Sequence, residues 1–503
     1  MRLAGLASAC QPRFLFVKRM NPVSIFRWST FRWSTAALLT LTLLPGHGQT
    51  RKGAPKNPTK TTASVTCWLT TADQTQALQL QPGKQSFGTA ATTGTVIEID
   101  DSQRFQTMDG FGYCLTGGSA ELLQAMSPAK RAALLRELFG TDDKGIGVSY
   151  LRLSIGASDL DAQVFSYDDL PAGQTDPTLA KFSLAPDEKH LLPVLKEILA
   201  INPSIKLLGS PWSPPTWMKT NGETKGGSLK PEFYPAYAQY FVKYIQGMKA
   251  AGIRLDAITV QNEPLHPGNN PSLLMLAEQQ AEFIGKHLGP AFKAAKLDTK
   301  IICYDHNADK PEYPLTVLND ATANPYVNGS AFHLYAGPIE ALSKVHDAFP
   351  QKHVYFTEEW VGSRSKFADN LGWHVKNLFV GAPRNWARNV LEWNLAADPH
   401  QNPHTPGGCN QCLGAITLAG DTVTRNVAYY TVAHSSKFVR PGSVRIASST
   451  AAGLPNVAYR TPTGRHVLLV QNDQATPQTF SLRYQGRTVP ATLPAGAVAT
   501  YVW

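Results

Sequence analysis

The sequence predicts a (β/α)8 barrel of the α/β class, joined to an all-β side sandwich formed by N- and C-terminal segments. Three observations predict it. Eight apolar, strand-like runs alternate with helix-length amphipathic stretches between residues 107 and 396, which is the unit count of such a barrel. Polar side chains gather at the C-terminal ends of those runs, where a barrel of this kind builds its site. The flanking segments are short, alternating and separated by Gly/Pro/Asn turns, without helical patterns, as sandwich strands are.

The eight runs are TMDGFGYCLT (107–116), VSYLRLSI (148–155), IKLLGSPW (205–212), DAITVQNEP (256–264), KIICYDHN (300–307), GSAFHLY (329–335), HVYFTEEW (353–360) and NVLEWNLA (389–396). Between them SPAKRAALLRELFG (127–140), DEKHLLPVLKEILAI (187–201) and PAYAQYFVKYIQGMKAAG (235–252) carry apolar residues at helical spacing. No GxGxxG follows the first run, which disfavours a doubly wound, dinucleotide-binding sheet. SVTCWLTT and TVIEID precede the barrel; HVLLVQND, QTFSLRYQG and AVATYVW follow it. The expected boundaries are 65–104 for the N-terminal β segments, 105–429 for the barrel and 430–503 for the C-terminal sandwich, whose two parts meet because chain ends are often neighbours.

The formal charge of +10 is uneven. Residues 1–48 hold six Lys/Arg and no acid, which leaves +4 on the rest, too little to argue for a nucleic-acid partner. Those basic residues precede the apolar run AALLTLTLL (36–44). It is shorter than the ~20 residues a spanning helix needs, so 1–48 reads as a secretory signal peptide. The tandem FRWSTFRWST (26–35) and the length of the leader leave Met20 as an alternative start. A polar, Pro-containing linker (49–64) follows. Of six cysteines one, Cys10, lies in the leader, and the other five are too few for a disulfide scaffold. Cys409-Asn-Gln-Cys412 has no second Cys/His pair nearby and reads as a local disulfide rather than a zinc site.

Two strand ends carry unexpected acid: VQNEP (260–264) on the fourth run and VYFTEEW (354–360) on the seventh. Two carboxylates across a cleft are the minimal equipment for hydrolysing a glycosidic bond, one as proton donor and one as anion or nucleophile. Glu263 and Glu358 fit that division of labour. Glu359 competes with Glu358, because strand alternation groups Phe356, Glu358 and Trp360 on one face and Thr357 with Glu359 on the other. Asn262 is placed to hydrogen-bond a sugar 2-hydroxyl. Trp212, Trp217, Trp360 and Trp393 offer flat rings for stacking on a sugar, or serve as core. Arg152 suits a nucleophile that must stay ionised, and Asp159 suits sugar hydroxyls. His333 either orients a carboxylate or belongs to a core network.

These stretches, in this order, resemble glycoside hydrolase family 30, the group containing lysosomal glucocerebrosidase. QTMDGFG (106–112), LRLSIGASD (151–159), LLGSPWSPPTWMKTNG (207–222), VQNEP (260–264), FHLY (332–335), YFTEEWVGS (355–363) and EWNLA (392–396) carry the resemblance. It implies a retaining β-glycosidase with no metal or other cofactor. It assigns the acid/base to Glu263 and the nucleophile to Glu358, since the family's nucleophile is followed by two residues and then Val-Gly-Ser, as Glu358 is. Its sugar-binding positions map onto Arg152, Asp159, Trp212, Asn262, Tyr335 and Trp393. Leu160 and Leu334 replace aromatic residues of the glucosylceramide-cleaving members, and NPHTPGGCNQC (402–412) resembles the branch that includes microbial β-1,6-glucanases. The first expectation is a secreted β-glucosidase of the glucosylceramidase type; the alternatives are an endo-β-1,6-glucanase acting on β-glucan and a non-catalytic glycan-binding protein. The expected partner is a carbohydrate or glycolipid substrate, with no nucleic acid and no integral membrane association once the leader is removed.

Overall fold

The eight expected runs each hold one strand of a closed parallel barrel: β1 Gly110–Leu115, β2 Tyr150–Ile155, β3 Lys206–Pro211, β4 Ala257–Thr259, β5 Lys300–Asn307, β6 Val327–His333, β7 His353–Glu358 and β8 Ala387–Asn394. Each strand pairs with its neighbours in chain order, and β8 closes the ring on β1. This computed structural model describes residues 64–89 and 94–503. The expected signal peptide (1–48), the alternative start at Met20 and nearly all of the linker (49–64) lie outside the described residues.

The barrel is filled from within. Tyr150, Leu208, Ala257, Ile302, Ala331, Tyr355 and Leu391, one from each of β2 to β8, form a closed interior cluster. β1 meets that layer at Gly112, which pairs with both Tyr150 and Leu391. A Cβ there would lie 1.9 Å from the Tyr150 carbonyl oxygen, so the close approach of β1 and β2 requires glycine. The outer helices bury one face against the strands. In Leu191–Ile201 that face is Leu191, Leu192, Val194, Leu195 and Ile198, the spacing of an apolar helical stripe. Among the described residues no helix is long and apolar enough to cross a membrane.

Strands from both chain ends form one further sheet. Ser64–Thr70 pairs with Val498–Val502, and Thr95–Thr107 lies between Val444–Ser448 and Gln478–Tyr484. The strands His466–Gln471 and Val498–Val502 are buried on both faces, and alternation explains how. Leu468 and Val470 enter the sandwich core, whereas Val467 and Leu469 join the barrel's apolar cluster. Phe111 of β1 meets Tyr459 edge-on, with ring centroids 6.4 Å apart.

Three expectations need adjustment. The strand expected over 256–264 ends at Thr259, because the backbone turns: Glu263 has φ +44° and donates its N–H to the Asp305 carbonyl at 3.0 Å. The 104/105 boundary falls inside the strand Thr95–Thr107. The 429/430 boundary falls inside a helix, Val427–Ser436, where no helix was expected. That helix is buried on nearly every side, its Thr431, His434, Ser435 and Ser436 included, so no helical stripe marks it in the sequence. Its His434 ring links Thr70 and Thr500 of the sandwich at 2.8 and 2.9 Å.

Candidate active site

One step above the apolar interior layer, the barrel becomes polar. Two residues further along their strands from Tyr150, Leu208, Ala257, Ala331 and Tyr355 stand Arg152, Ser210, Thr259, His333 and Thr357, which strand periodicity directs to the same interior. On β5 alternation would select Tyr304. Instead Tyr304 and Asp305 have φ +72° and +74° and the register shifts against β6, a bulge that delivers Asp305 inward. Asp305 thereby meets five donors: Arg152 Nη2 (2.8 Å), Ser210 Oγ (2.8 Å), Thr259 Oγ1 (2.6 Å), Thr357 Oγ1 (2.6 Å) and the His333 Nε2–H (3.1 Å). The Arg152 guanidinium also donates to Glu358 Oε2 (2.5 Å), Asn262 Oδ1 (2.7 Å) and Ser210 Oγ (3.1 Å), and lies over the Trp212 ring.

A second irregularity selects between the two glutamates of β7. Phe332 pairs with Phe356 but His333 pairs with Glu358, so the ladder skips Thr357. Thr357 and Glu358 therefore both reach the interior, and strict alternation, which groups Thr357 with Glu359, fails here. Glu359 is buried away from the pocket lining, with Oε2 unpartnered and burial pushing its carboxyl far up.

Glu263 and Glu358 face each other. One oxygen from each, together with a His333 nitrogen, lies within 4.8 Å of the others. His333 Nδ1 stands 3.5 Å from Glu263 Oε1 and 3.7 Å from Glu358 Oε1. The Tyr335 hydroxyl donates to Glu358 Oε1 at 3.0 Å, and Asn269 Nδ2 donates to Glu263 Oε2 at 3.1 Å. A cavity of about 430 Å³ opens above them, lined also by Asp159, Trp212, Trp360, Trp393, His306 and the cysteine pair. The nine site residues expected from sequence thus come together, Arg152, His333 and Asn262 beneath the cavity and the others on its wall. Trp217 does not: it is buried in the main core, its Nε1–H bonded to the Asp168 carbonyl at 3.0 Å.

Sequence reasoning did not select Asp305, Ser210, Thr259, Thr357 or Asn269. The first four share a readable signal, a polar residue near the C-terminal end of a barrel strand. Cys409 and Cys412 are disulfide-bonded, as their spacing suggested. Their turn forms one wall of the cavity, where the Cys409 N–H donates to Asp159 Oδ2 at 3.3 Å.

Burial opposes charge throughout this site, and partners decide the outcome. Against burial, Arg152 and His333 hold Asp305 well below the usual carboxylate range. Burial also works against the His333 imidazolium, but Glu358, Asp305 and Glu263 outweigh it and push His333 up to about 10. Asp159, with burial and Glu358 both against its charge, rises to about 7. Glu263, His333 and Glu358 present a metal-like spacing, in which a metal would have to displace the His333 proton. The group is an ion-paired cluster.

The raised His333 value has a consequence for stability. Unfolded histidine titrates near ~6.5, so the folded-state gain is full below that pH and is lost as pH climbs toward 10. We expect the difference in Tm between wild type and His333→Gln to be largest near pH 6 and to shrink steadily toward pH 10. Parallel melting curves across that range would contradict it.

Comparison with known proteins agrees with this geometry. Residues 108–439 match the glycosyl hydrolase family 30 TIM-barrel domain, and 442–501 match the family 30 beta sandwich domain. The chain is 36% identical to an endo-1,6-beta-D-glucanase of Neurospora crassa, over 78% of this chain and 84% of that protein. It is 30% identical to the mouse (Mus musculus) lysosomal acid glucosylceramidase, over 82% and 84%. The solved structure of the endo-beta1,6-glucanase BT3312 superposes with a TM-score of 0.81 at 35% identity, covering 88% of this chain and 99% of that one. With matches to both the barrel and the sandwich, the chain belongs to glycosyl hydrolase family 30 and is a glycoside hydrolase.

Proposed function

We propose that this enzyme is a retaining endo-β-1,6-glucanase in which Glu358 is the nucleophile and Glu263 the acid/base. The observation that carries the mechanism is the approach of the two carboxylates to within 4.8 Å, oxygen to oxygen. Retaining glycosidases hold their carboxyl groups ~5–5.5 Å apart, whereas inverting enzymes leave ~6.5–9.5 Å for a water. Glu358 attacks the anomeric carbon and forms a glycosyl ester as the C–O bond to the leaving sugar breaks. Glu263 gives its proton to the departing oxygen. Water then attacks the same carbon, passing a proton back to Glu263 and releasing Glu358. Asn262, whose oxygen is taken by Arg152, has its amide N–H groups left for a sugar hydroxyl.

This division needs one proton between the two acids. Burial pushes Glu358 upward, while His333 draws Glu263 downward against its own burial. Two carboxyls this close titrate as a pair, so the location of the proton is set by their donors. Glu358 receives the Arg152 guanidinium and the Tyr335 hydroxyl, both of which favour an anion. The two directions alone would leave the proton on Glu358, but His333 is nearly equidistant from both acids (3.5 and 3.7 Å). A charged guanidinium on Glu358 outweighs the neutral Asn269 amide on Glu263, so we assign the shared proton to Glu263. Glu358→Gln should abolish turnover, because an amide cannot form the ester. Glu263→Ala should slow β-glucosides with poor leaving groups at least ~100-fold more than activated aryl glucosides. Equal losses on both would overturn the assignment.

The order of the two substrate readings is the reverse of the one expected from sequence. Identity of 36% and 35% to 1,6-glucanases, against 30% to the glucosylceramidase, supports the glucan. So does the disulfide-closed turn on the cavity wall, packed beside Leu160, Trp212 and Trp393. Incubated with a β-1,6-linked glucan and with glucosylceramide, the enzyme should release oligosaccharides from the former and cleave the latter at least tenfold more slowly. A preference for glucosylceramide would reverse the reading.

We further read the chain as exported. The basic, apolar leader supports this, and so does the Cys409–Cys412 disulfide, a bond kept in oxidising compartments. N-terminal sequencing of the mature protein should begin near residue 49, and an uncleaved intracellular product would contradict it.

A further inference from the structure

Asn269 lies six residues beyond Glu263, on the loop that leaves β4, and faces the cavity. Its Nδ2 donates to Glu263 Oε2 at 3.1 Å. Among the described residues it is the one hydrogen-bond donor to that oxygen. The other oxygen, Oε1, faces His333 Nδ1 at 3.5 Å and His306 Nε2 at 4.0 Å.

The loop that carries Asn269 is fastened from two sides. On one side, Thr224 Oγ1 donates to Asn270 Oδ1 (2.8 Å), and the buried Lys219 Nζ donates to the Thr224 and Ser272 carbonyls (2.8 and 2.7 Å). On the other, Thr405 Oγ1 donates to the Asn270 carbonyl (2.5 Å) and Asn270 Nδ2 to the Pro406 carbonyl (3.1 Å). A backbone held this way aims the neighbouring amide with little freedom left to lose.

We propose that Asn269 is the positioning residue of the acid/base: its amide fixes the Glu263 carboxyl at the cavity and favours the carboxylate over the acid. The inference rests on the acid/base role proposed for Glu263. In the first step the proton moves from Glu263 to the glycosidic oxygen, and the new carboxylate is met by a donor already in place. A hydrogen bond to an ionised group is worth more than one to its neutral form. Without it Glu263 is a weaker acid. The titratable groups facing Glu263 are His333, His306, His266, Glu358, Asp159, Tyr335 and Tyr304, and a change at Asn269 substitutes none of them.

The test uses the full chain with Asn269→Ala and the isosteric Asn269→Asp. On β-1,6-glucan kcat/KM should fall ~10- to 100-fold in Asn269→Ala, the range for losing a hydrogen bond to a charged group. On an activated aryl β-glucoside, which needs little proton donation, the loss should stay below ~10-fold. The alkaline limb of the pH profile should move upward by about one unit in Asn269→Ala and further in Asn269→Asp, where a second carboxylate opposes ionisation. In a Glu263→Gln background, Asn269→Ala should add nothing. An unmoved alkaline limb, equal losses on the two substrates, or an additive loss in that background would overturn the inference. Failure of Glu263→Ala to discriminate between leaving groups would instead bring down the acid/base assignment itself.

Discussion

The site depends on one buried ion pair. Arg152 and Asp305 sit inside the barrel with fully buried side chains, 2.8 Å apart. Removing two such charges from water costs several kcal/mol each unless their remaining hydrogen-bonding capacity is met. Here it is met almost completely, by Ser210, Thr259, Thr357, His333, Asn262 and Glu358. Both reacting carboxylates are suspended from this pair. Glu358 is held through the guanidinium, and Glu263 through its backbone N–H on the Asp305 carbonyl. The distance between them is therefore set by the barrel, which anchors Glu358 and the Glu263 backbone, together with the fastened loop that carries Glu263 and Asn269.

The same pair sets the charge of the pocket. Arg152 and the imidazolium of His333 are two buried cations, and Asp305 and Glu358 supply two anions. A third ionised acid, at Glu263, would leave the buried cluster with an uncompensated negative charge, which a low-dielectric interior disfavours strongly. Keeping one proton on Glu263 makes the resting cluster neutral. In the proposed mechanism the charge that develops on Glu263 during the first step lies 3.5 Å from His333, so the transition state would meet a cation positioned beforehand.

Much of this was legible in the sequence because barrels impose it. Eight runs with polar ends give the architecture, and the acids of VQNEP and FTEEW give the close carboxylate pair proposed to react. What periodicity could not deliver were the departures from periodicity. Asp305 enters the barrel only because Tyr304 and Asp305 adopt left-handed backbone, and Glu358 because the β6–β7 ladder skips Thr357. A strict period of two would have selected Tyr304 and Glu359 instead. Asn269 lacked any signal, since it sits on an irregular loop whose return onto Glu263 is fastened by Thr224, Lys219 and Thr405, residues far from it in sequence. The helix Val427–Ser436 was missed because both barrel and sandwich cover it, which erases the polar face that usually marks a helix.

The most direct test of the account is the configuration of the first product. NMR of the anomeric protons during early turnover of a β-1,6-glucan should show the β-anomer appearing first, with the α-anomer following only by mutarotation. Initial release of the α-anomer would require a water lodged between Glu263 and Glu358, and would contradict the close pair on which the proposed mechanism stands.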